Sequence, residues 1–182
     1  MRIQKALAIP ALGGYYNEDL AAIRAGAKPD GLFYSDRPQS PGFHAIRQPS
    51  EAASIILVLD DGRIAFGDAL SVDYAAAGGR PGLFSAERQV PLLNAICGDI
   101  EGQPVGGFVE MCEALEASTS WEDLHRPAAM FGFSQAFLQA VAMERQVTAA
   151  EVVADEFDTS VSTAAIPLGI QCGEYRRDAV DK

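Results

Sequence analysis

The longest unbroken apolar pattern in the chain opens the stretch 54–79, SIILVLDDGRIAFGDALSVDYAAAGG. Ile55-Ile56-Leu57-Val58-Leu59 is rich in β-branched residues, Asp61-Gly62 suits a two-residue type I′ turn, and Ile64-Ala65-Phe66 supplies a returning strand, so the pattern predicts a buried hairpin. A strand apolar at successive positions predicts cover on both of its faces. Residues 2–10 predict a first strand paired with the hairpin. The stretch 11–40 carries Gly13, Gly14, Gly26, Pro29, Gly31 and Pro38 and predicts a long irregular segment of the kind that often serves as a functional lid. Within it, residues 17–24 predict one or two helical turns with Asn17 as the N-cap. Residues 43–47 predict a further strand ahead of Pro49.

After the 78–82 cluster of glycine, arginine and proline the pattern turns helical. Amphipathic helices are predicted over 85–100 and 108–117. A third, starting at 121 or later and ending at 145, is apolar on most sides through Met130, Phe131, Phe133, Phe137, Leu138, Val141 and Met143, which predicts a place in the middle of a bundle. Phe131 and Phe133 straddle Gly132, a position where another backbone can come close. Thr148 and Glu151 have the spacing of a capping box and predict a short fourth helix. Residues 164–171 predict one last strand, followed at once by the polar CGEYRRDAVDK. The fold class is α+β, a small antiparallel sheet followed by a helical bundle. A lone strand after a bundle leaves backbone groups unpaired on both edges, so it is expected to open a further domain that is missing.

Composition narrows the functional classes. At 182 residues one domain is the default, and 48% hydrophobic with 21% charged residues is ordinary for a soluble globular protein. A formal net charge of -11 and a pI near 4.5 repel polyanions, which sets aside nucleic acid and anionic membrane as partners. The N-terminus alternates like a strand rather than a signal peptide, and no apolar run has transmembrane length, so the expected location is cytoplasmic. Cys97, Cys112 and Cys172 lack a CxxC pair and a clustered histidine, which argues against a zinc site and a disulfide framework; two of them are expected as buried helix thiols. Asp60, Asp61, Asp68 and Asp73 can be drawn as a carboxylate metal cluster, yet the first two suit a turn for backbone reasons. His44 and His125 are isolated, Gly78-Gly79-Arg80 lacks a phosphate-loop motif, and Glu110, Glu113 and Glu116 read as a solvated stripe.

Four blocks in register carry a resemblance: GGYYNEDLAAIRAGAKPDGL, SIILVLDDGRIAFGDALSVDYAAAGGRPGLF, FGFSQAFLQAVAMERQVTAAEVVADEF and IPLGIQCGEYR. Together they are similar to the methylaspartate ammonia-lyase family of the enolase superfamily, across nearly the whole chain. The resemblance implies an N-terminal cap domain over 1–160 and the first strand and following loop of a TIM-like barrel over 161–182. It implies elimination of ammonia from 3-methylaspartate to give mesaconate, in amino-acid degradation such as glutamate catabolism. Magnesium would be bound by the missing barrel, the complete enzyme would be a homodimer, and the partner would be a small amino-acid substrate. The family's base, its histidine counterpart and its metal ligands lie on later barrel strands, so the resemblance implies no catalytic residue here and a fragment inactive alone.

Two substrate-binding positions follow from the resemblance. Gln171 matches the glutamine of the family's A-Q-S-G-type segment at the end of the first barrel strand, where its amide would meet a substrate carboxylate. Asp73, before Tyr74, stands where the family often has Gln-Tyr in a cap loop over the substrate. An aspartate there suits an ammonium group and repels a dicarboxylate. Cys172 replaces the usual serine. The alternative from a different class is a stand-alone, non-catalytic binding or interaction module descended from such a cap.

Overall fold

A computed structural model describes residues 1–31, 33–71, 81–165 and 167. Asp73, Gln171, Cys172 and the Gly78-Gly79-Arg80 cluster lie outside the described residues, as do five of the eight residues of the strand expected over 164–171.

The sheet contains three long strands: β1 (Ile3–Asn17), β4 (Arg47–Leu59) and β5 (Ile64–Leu70) in the order β1-β4-β5, each pair antiparallel. Between β1 and β4 come a short helix α1 (Asp19–Arg24) and a small hairpin of β2 (Lys28–Asp30) and β3 (Phe33–Ser35). Four helices follow: α2 (Ala86–Ile100), α3 (Phe108–Ser118), α4 (Arg126–Arg145) and α5 (Ala149–Glu156). The predicted antiparallel sheet followed by a helical bundle is therefore the observed architecture.

Several local expectations are corrected. The first strand does not stop at residue 10, because the register shift between Leu12 and Tyr15, with Gly14 at φ 104°, absorbs the glycine pair as a bulge and lets pairing with β4 resume at Tyr15. The 11–40 stretch is consequently strand, helix and hairpin, not one irregular segment. Residues 43–46 form no strand; Phe43 and Ile46 are buried there as anchors, and β4 begins at Arg47 and runs through Pro49. Proline is tolerated at that point because β5 ends opposite Ala52, leaving that part of β4 at an edge. The N-cap position of α1 is Glu18, while Asn17 accepts from the Asp19 amide through its Oδ1 at 3.3 Å.

The hairpin turn also differs. Gly62 donates to the Leu59 carbonyl at 2.9 Å, and Gly62 alone of 60–62 has positive φ, at 87°. A type I′ turn needs positive φ at both central residues, so this is instead a three-residue loop with glycine in the left-handed position.

The helices cover one face of the sheet. Ala6, Ala8, Ile55, Leu57, Ala65 and Ala69 are buried there. α4 lies against β5 through a row of small residues, Ala128, Gly132, Ala136 and Ala140, one every four positions, and turns Phe133, Phe137 and Val141 into the bundle, where all three are buried. That is the central place predicted for it. The backbone approaching Gly132 belongs to β5 at Asp68 and Ala69. The capping box of α5 is formed, with Thr148 Oγ1 accepting from the Glu151 amide at 3.2 Å and Glu151 accepting from the Thr148 amide at 2.7 Å.

Cover on both faces, as predicted from the apolar run, is not found among the described residues. The rows Lys5–Val58–Ile64 and Leu7–Ile56–Phe66 face away from the helices, with Ile64 and Phe66 exposed to 52% and 55%. Such a face should bind a hydrophobic dye. Fluorescence of the dye with the folded chain is expected to fall in the Ile64→Ser/Phe66→Ser variant; undiminished signal would locate the dye elsewhere. The outer strand edges, by contrast, are occupied. Ala6 of β1 donates to Glu101, at the C-cap of α2, Ala8 donates to Asn94 of α2, and Phe66 of β5 donates to Gln139 of α4.

Cys97 and Cys112 are free thiols on α2 and α3. Desolvation, aided by the nearby Glu101 charge, pushes Cys97 up to about 12, and burial with Glu156 pushes Cys112 up to about 11. Both stay protonated at neutral pH and have no nucleophilic thiolate to offer.

Candidate functional site

The sheet end away from the 60–62 turn gathers a cluster of internally bonded polar groups. Tyr16 is 2% exposed, and its hydroxyl receives the Phe84 amide at 3.0 Å and the Ser71 hydroxyl at 2.9 Å, with the Phe84 and Glu51 carbonyls at 3.4 and 3.5 Å. Ser71 immediately follows β5 and Phe84 precedes α2. One buried phenol therefore joins the two sides of the segment 72–80.

Glu51, on β4, accepts from the Ala86 amide at 2.6 Å. This places a carboxylate at the first residue of α2, where free N–H groups and the helix dipole favour negative charge, and it does what the Ser85 side chain at the cap position does not. Glu18, 5% exposed, receives the amides of Gln39 and Ser40 at 2.5 and 2.7 Å and so ties the 36–40 loop to the start of α1. Gln89, 6% exposed, donates to the Asp123 carbonyl and accepts from the His125 amide, holding the turn before α4.

Two hollows open at this end. One of about 490 Å³ is lined by Tyr16, His44, Gln48, Glu51, Leu83 and Phe84, among others. The other, about 320 Å³, is lined by residues including Leu83, Arg88, Gln89, Asp123 and His125. The His125 ring tilts against Phe84, and its Nε2 lies 3.1 Å from the Gly82 carbonyl.

The chemistry of this end is that of a scaffold. Its buried donors and acceptors mostly satisfy one another, which rigidifies the stems around 72–80. Among the described residues no group of three or more His, Cys, Asp or Glu could hold a metal ion. The drawn aspartate cluster is not assembled among them: Asp61 is bound by its neighbour Arg63 at the hairpin turn, while Asp68 accepts from Ser54 at 2.5 Å on the open face. Asp61 titrates below its ordinary value, chiefly because the Arg63 amide donates to it. Glu110 and Glu113 are exposed as expected, and Glu116 is half-buried and pairs with Arg126.

Tyr16, Glu18 and Glu51 were not singled out in the sequence. The alternation of β1 would have pointed to Tyr16 had Gly13-Gly14 been read as a bulge. Nothing in the local pattern marks Glu51, because its partner is 35 residues away.

A family model described as "Methylaspartate ammonia-lyase N-terminus" matches residues 1–158. The chain belongs to that family. It is 38% identical over its whole length to methylaspartate ammonia-lyase of Clostridium tetanomorphum and 37% identical to that of Haloarcula marismortui, in both cases spanning 44% of the relative. It also superposes over its whole length on a magnesium complex of the Clostridium β-methylaspartase, with a TM-score of 0.81 at 38% identity and 44% of that chain covered. The Citrobacter amalonaticus enzyme containing (2S,3S)-3-methylaspartic acid matches with a TM-score of 0.80 at 38% identity. The chain thus spans less than half the length of these relatives, and the cap fold predicted from the four sequence blocks is the N-terminal part of theirs.

Proposed function

We propose that this chain is the cap of a lyase that eliminates ammonia from 3-methylaspartate to give mesaconate. The observation that carries this reading is the match of the whole chain, in sequence and fold, to an enzyme whose solved structure contains that amino acid. In the reaction a base removes the proton beside a carboxylate, the electron pair forms the carbon–carbon double bond, and the amine leaves as ammonia. The negative charge that builds on the carboxylate needs concentrated positive charge close by.

Among the described residues no group of three or more His, Cys, Asp or Glu could hold a magnesium ion, and the general base is expected on later barrel strands. Metal ligands and base are assigned to the part of the relatives that this chain does not span, with residues 1–160 as the cap and 161–182 as the opening of the barrel. Gln171 is proposed to hold a substrate carboxylate and Asp73 to meet the ammonium group. A homodimer in the cytoplasm is the accompanying proposal; among the described residues no helix is long and apolar enough to cross a membrane.

The test is ammonia release from (2S,3S)-3-methylaspartate by the full-length polypeptide purified from its source, with and without added magnesium. Magnesium-dependent release is expected, and none with either condition would sink the proposal. Gln171→Ala is expected to lower kcat/KM about tenfold or more, the worth of one hydrogen bond to a charged group, without unfolding the protein; unchanged turnover would remove Gln171 from the site. The intact mass separates the lyase from a stand-alone binding module. These residues alone weigh 19.3 kDa, and a barrel adds roughly 250 residues.

A further inference from the structure

We infer that the open face of the sheet is a self-complementary contact, on which a second copy of this chain docks about a twofold axis through Ile56. The register of the two ladders sets a third row, Ile9–Ser54–Asp68, beside the rows Lys5–Val58–Ile64 and Leu7–Ile56–Phe66. Ile9, Ile64 and Phe66 are exposed to 41%, 52% and 55%, and Leu7, Ile56 and Val58 between them are half-buried. Past the third row the face closes, because Ala52 and Ser50 are buried. A bounded apolar patch with charges only at its margin is the mark of a contact surface. The strand edges cannot serve instead, since the Ala6, Ala8 and Phe66 amides are already taken by α2, its cap and α4.

The charges of the face say what covers it. Within the three rows only Lys5 and Asp68 are charged, and they stand at opposite corners with Ile56 midway between them. Lys5 makes no ion pair among the described residues. The Asp68 carboxylate has only the Ser54 hydroxyl, at 2.5 Å, and keeps lone pairs for a cation. A half-turn about an axis in the plane of contact, through Ile56 and at right angles to the line from Lys5 to Asp68, exchanges the two corners. Lys5 of each copy then meets Asp68 of the other, so the pairing is made twice, as a twofold contact requires. The same rotation lays Phe66 of each copy over Ile56, Val58 and Ile64 of the other. With rows about 6.8 Å and strands about 4.8 Å apart, the strands of the two sheets cross at roughly 70°, near the orthogonal class of sheet packing.

The inference gives the proposed homodimer a surface and does not depend on the chain's being a lyase. The experiment is sedimentation velocity of the full-length protein over a range of concentrations, for wild type, Lys5→Glu, Asp68→Lys and an equimolar mixture of the two variants. Urea unfolding checks that each variant is folded. Wild type is expected to be a dimer. Lys5→Glu sets two carboxylates against each other at both corners and is expected to weaken association at least about a hundredfold, and Asp68→Lys does the same with two ammonium groups. Mixed, the introduced carboxylate of one variant faces the introduced ammonium of the other, while the native Asp68 and Lys5 pair at the second corner. Dimers are therefore expected to return, which damage to the fold could not bring about. If Asp68→Lys does not fold, Ile64→Ser/Phe66→Ser takes its place and is expected to weaken association more than about tenfold. Hydrophobic-dye fluorescence is expected to rise in Lys5→Glu, whose separated copies expose the face.

A Lys5→Glu dimer as tight as wild type would overturn the inference and leave the homodimer standing. That is also the result if other residues of the same polypeptide cover the face. Variants that separate and do not recombine on mixing would overturn the twofold pairing. A monomeric wild type would overturn the inference and the homodimer together, and ammonia release would still decide the lyase by itself.

Discussion

Gly67→Ala is expected to cost about 3 kcal/mol or more of stability, and in a chain of ordinary marginal stability to leave a substantial unfolded population. A Cβ at Gly67 would lie 2.1 Å from the Gly132 carbonyl oxygen, 2.7 Å from Gln135 Cβ and 3.0 Å from the Ala136 amide nitrogen. Two of these three atoms are helix backbone, so no side chain can rotate away, and relief requires α4 as a whole to move off β5. That motion would open voids along the row of Ala128, Ala136 and Ala140, where packing is close on both sides. Alanine restricts the unfolded chain and recovers about 0.4–1 kcal/mol, well short of the clash. Gly132→Ala meets the Ala69 amide nitrogen and Ile55 Cδ1, each at 2.8 Å. The Asp68 carbonyl carbon follows at 3.1 Å, so β5 backbone resists here too, but the nearest approach is less severe than at Gly67 and Ile55 can shift, so the expected cost is smaller. Urea unfolding of the three proteins checks the order; a Gly67→Ala midpoint equal to wild type would mean that the helix and sheet are not in this contact.

Glu156→Ala is the second large effect, expected at about 2–3 kcal/mol. At the end of α5 the Glu156 carboxylate takes the Phe108 and Val109 amides at 2.8 and 2.7 Å and pairs with Arg145, so it caps α3 where Gly107 has no side chain to offer. Its side chain is 12% exposed. Removal leaves the two N–H groups without their acceptor and the Arg145 guanidinium with Asp155 as its remaining carboxylate partner, and hydrogen bonds to charged groups are worth about 1.5–3 kcal/mol each before the neighbours relax.

The pH dependence follows from the same contacts. Burial of the carboxylate pushes its pKa upward, but the Val109 and Phe108 amides and the Arg145 charge outweigh burial and hold it below its ordinary 4.5. A depressed carboxyl binds fewer protons in the folded than in the unfolded state, so its stabilisation is full above pH 4.5 and is lost as pH falls through the lowered value. Chemical unfolding at pH 7 and pH 3 is expected to show the wild-type advantage over Glu156→Ala shrinking at the lower pH. An advantage of the same size at both would mean that the carboxylate's charge is not what caps α3.

How much of this was legible in advance divides along the range of the forces involved. The helices α2 to α5 were readable within a residue or two, apart from the start of α4, because apolar periodicity and the Thr148–Glu151 cap are set by neighbours three or four residues apart. The four sequence blocks were enough to recognise the family, since they lie in register over nearly the whole chain. The two family-derived site positions, Gln171 and Asp73, fall outside the described residues. The structure bears instead on the frame beside one of them.

What the local pattern could not decide was everything that depends on which distant groups meet. Gly13-Gly14 looks like a strand end until β4 is present to pair across the bulge, and Ile56 and Val58 look as buried as Ile55 and Leu57 until the helices choose a side. The carboxylates of Glu51 and Glu156 look like ordinary surface charges, yet each caps a helix that begins 35 or 48 residues away along the chain. Tyr16 is one aromatic among several until Ser71 and Phe84 close on its oxygen. Periodicity and propensity are written in short stretches of residues and survive without the fold. Capping at a distance, the covered side of a sheet and the satisfaction of a buried hydroxyl exist only once the tertiary structure has brought both partners out of water together.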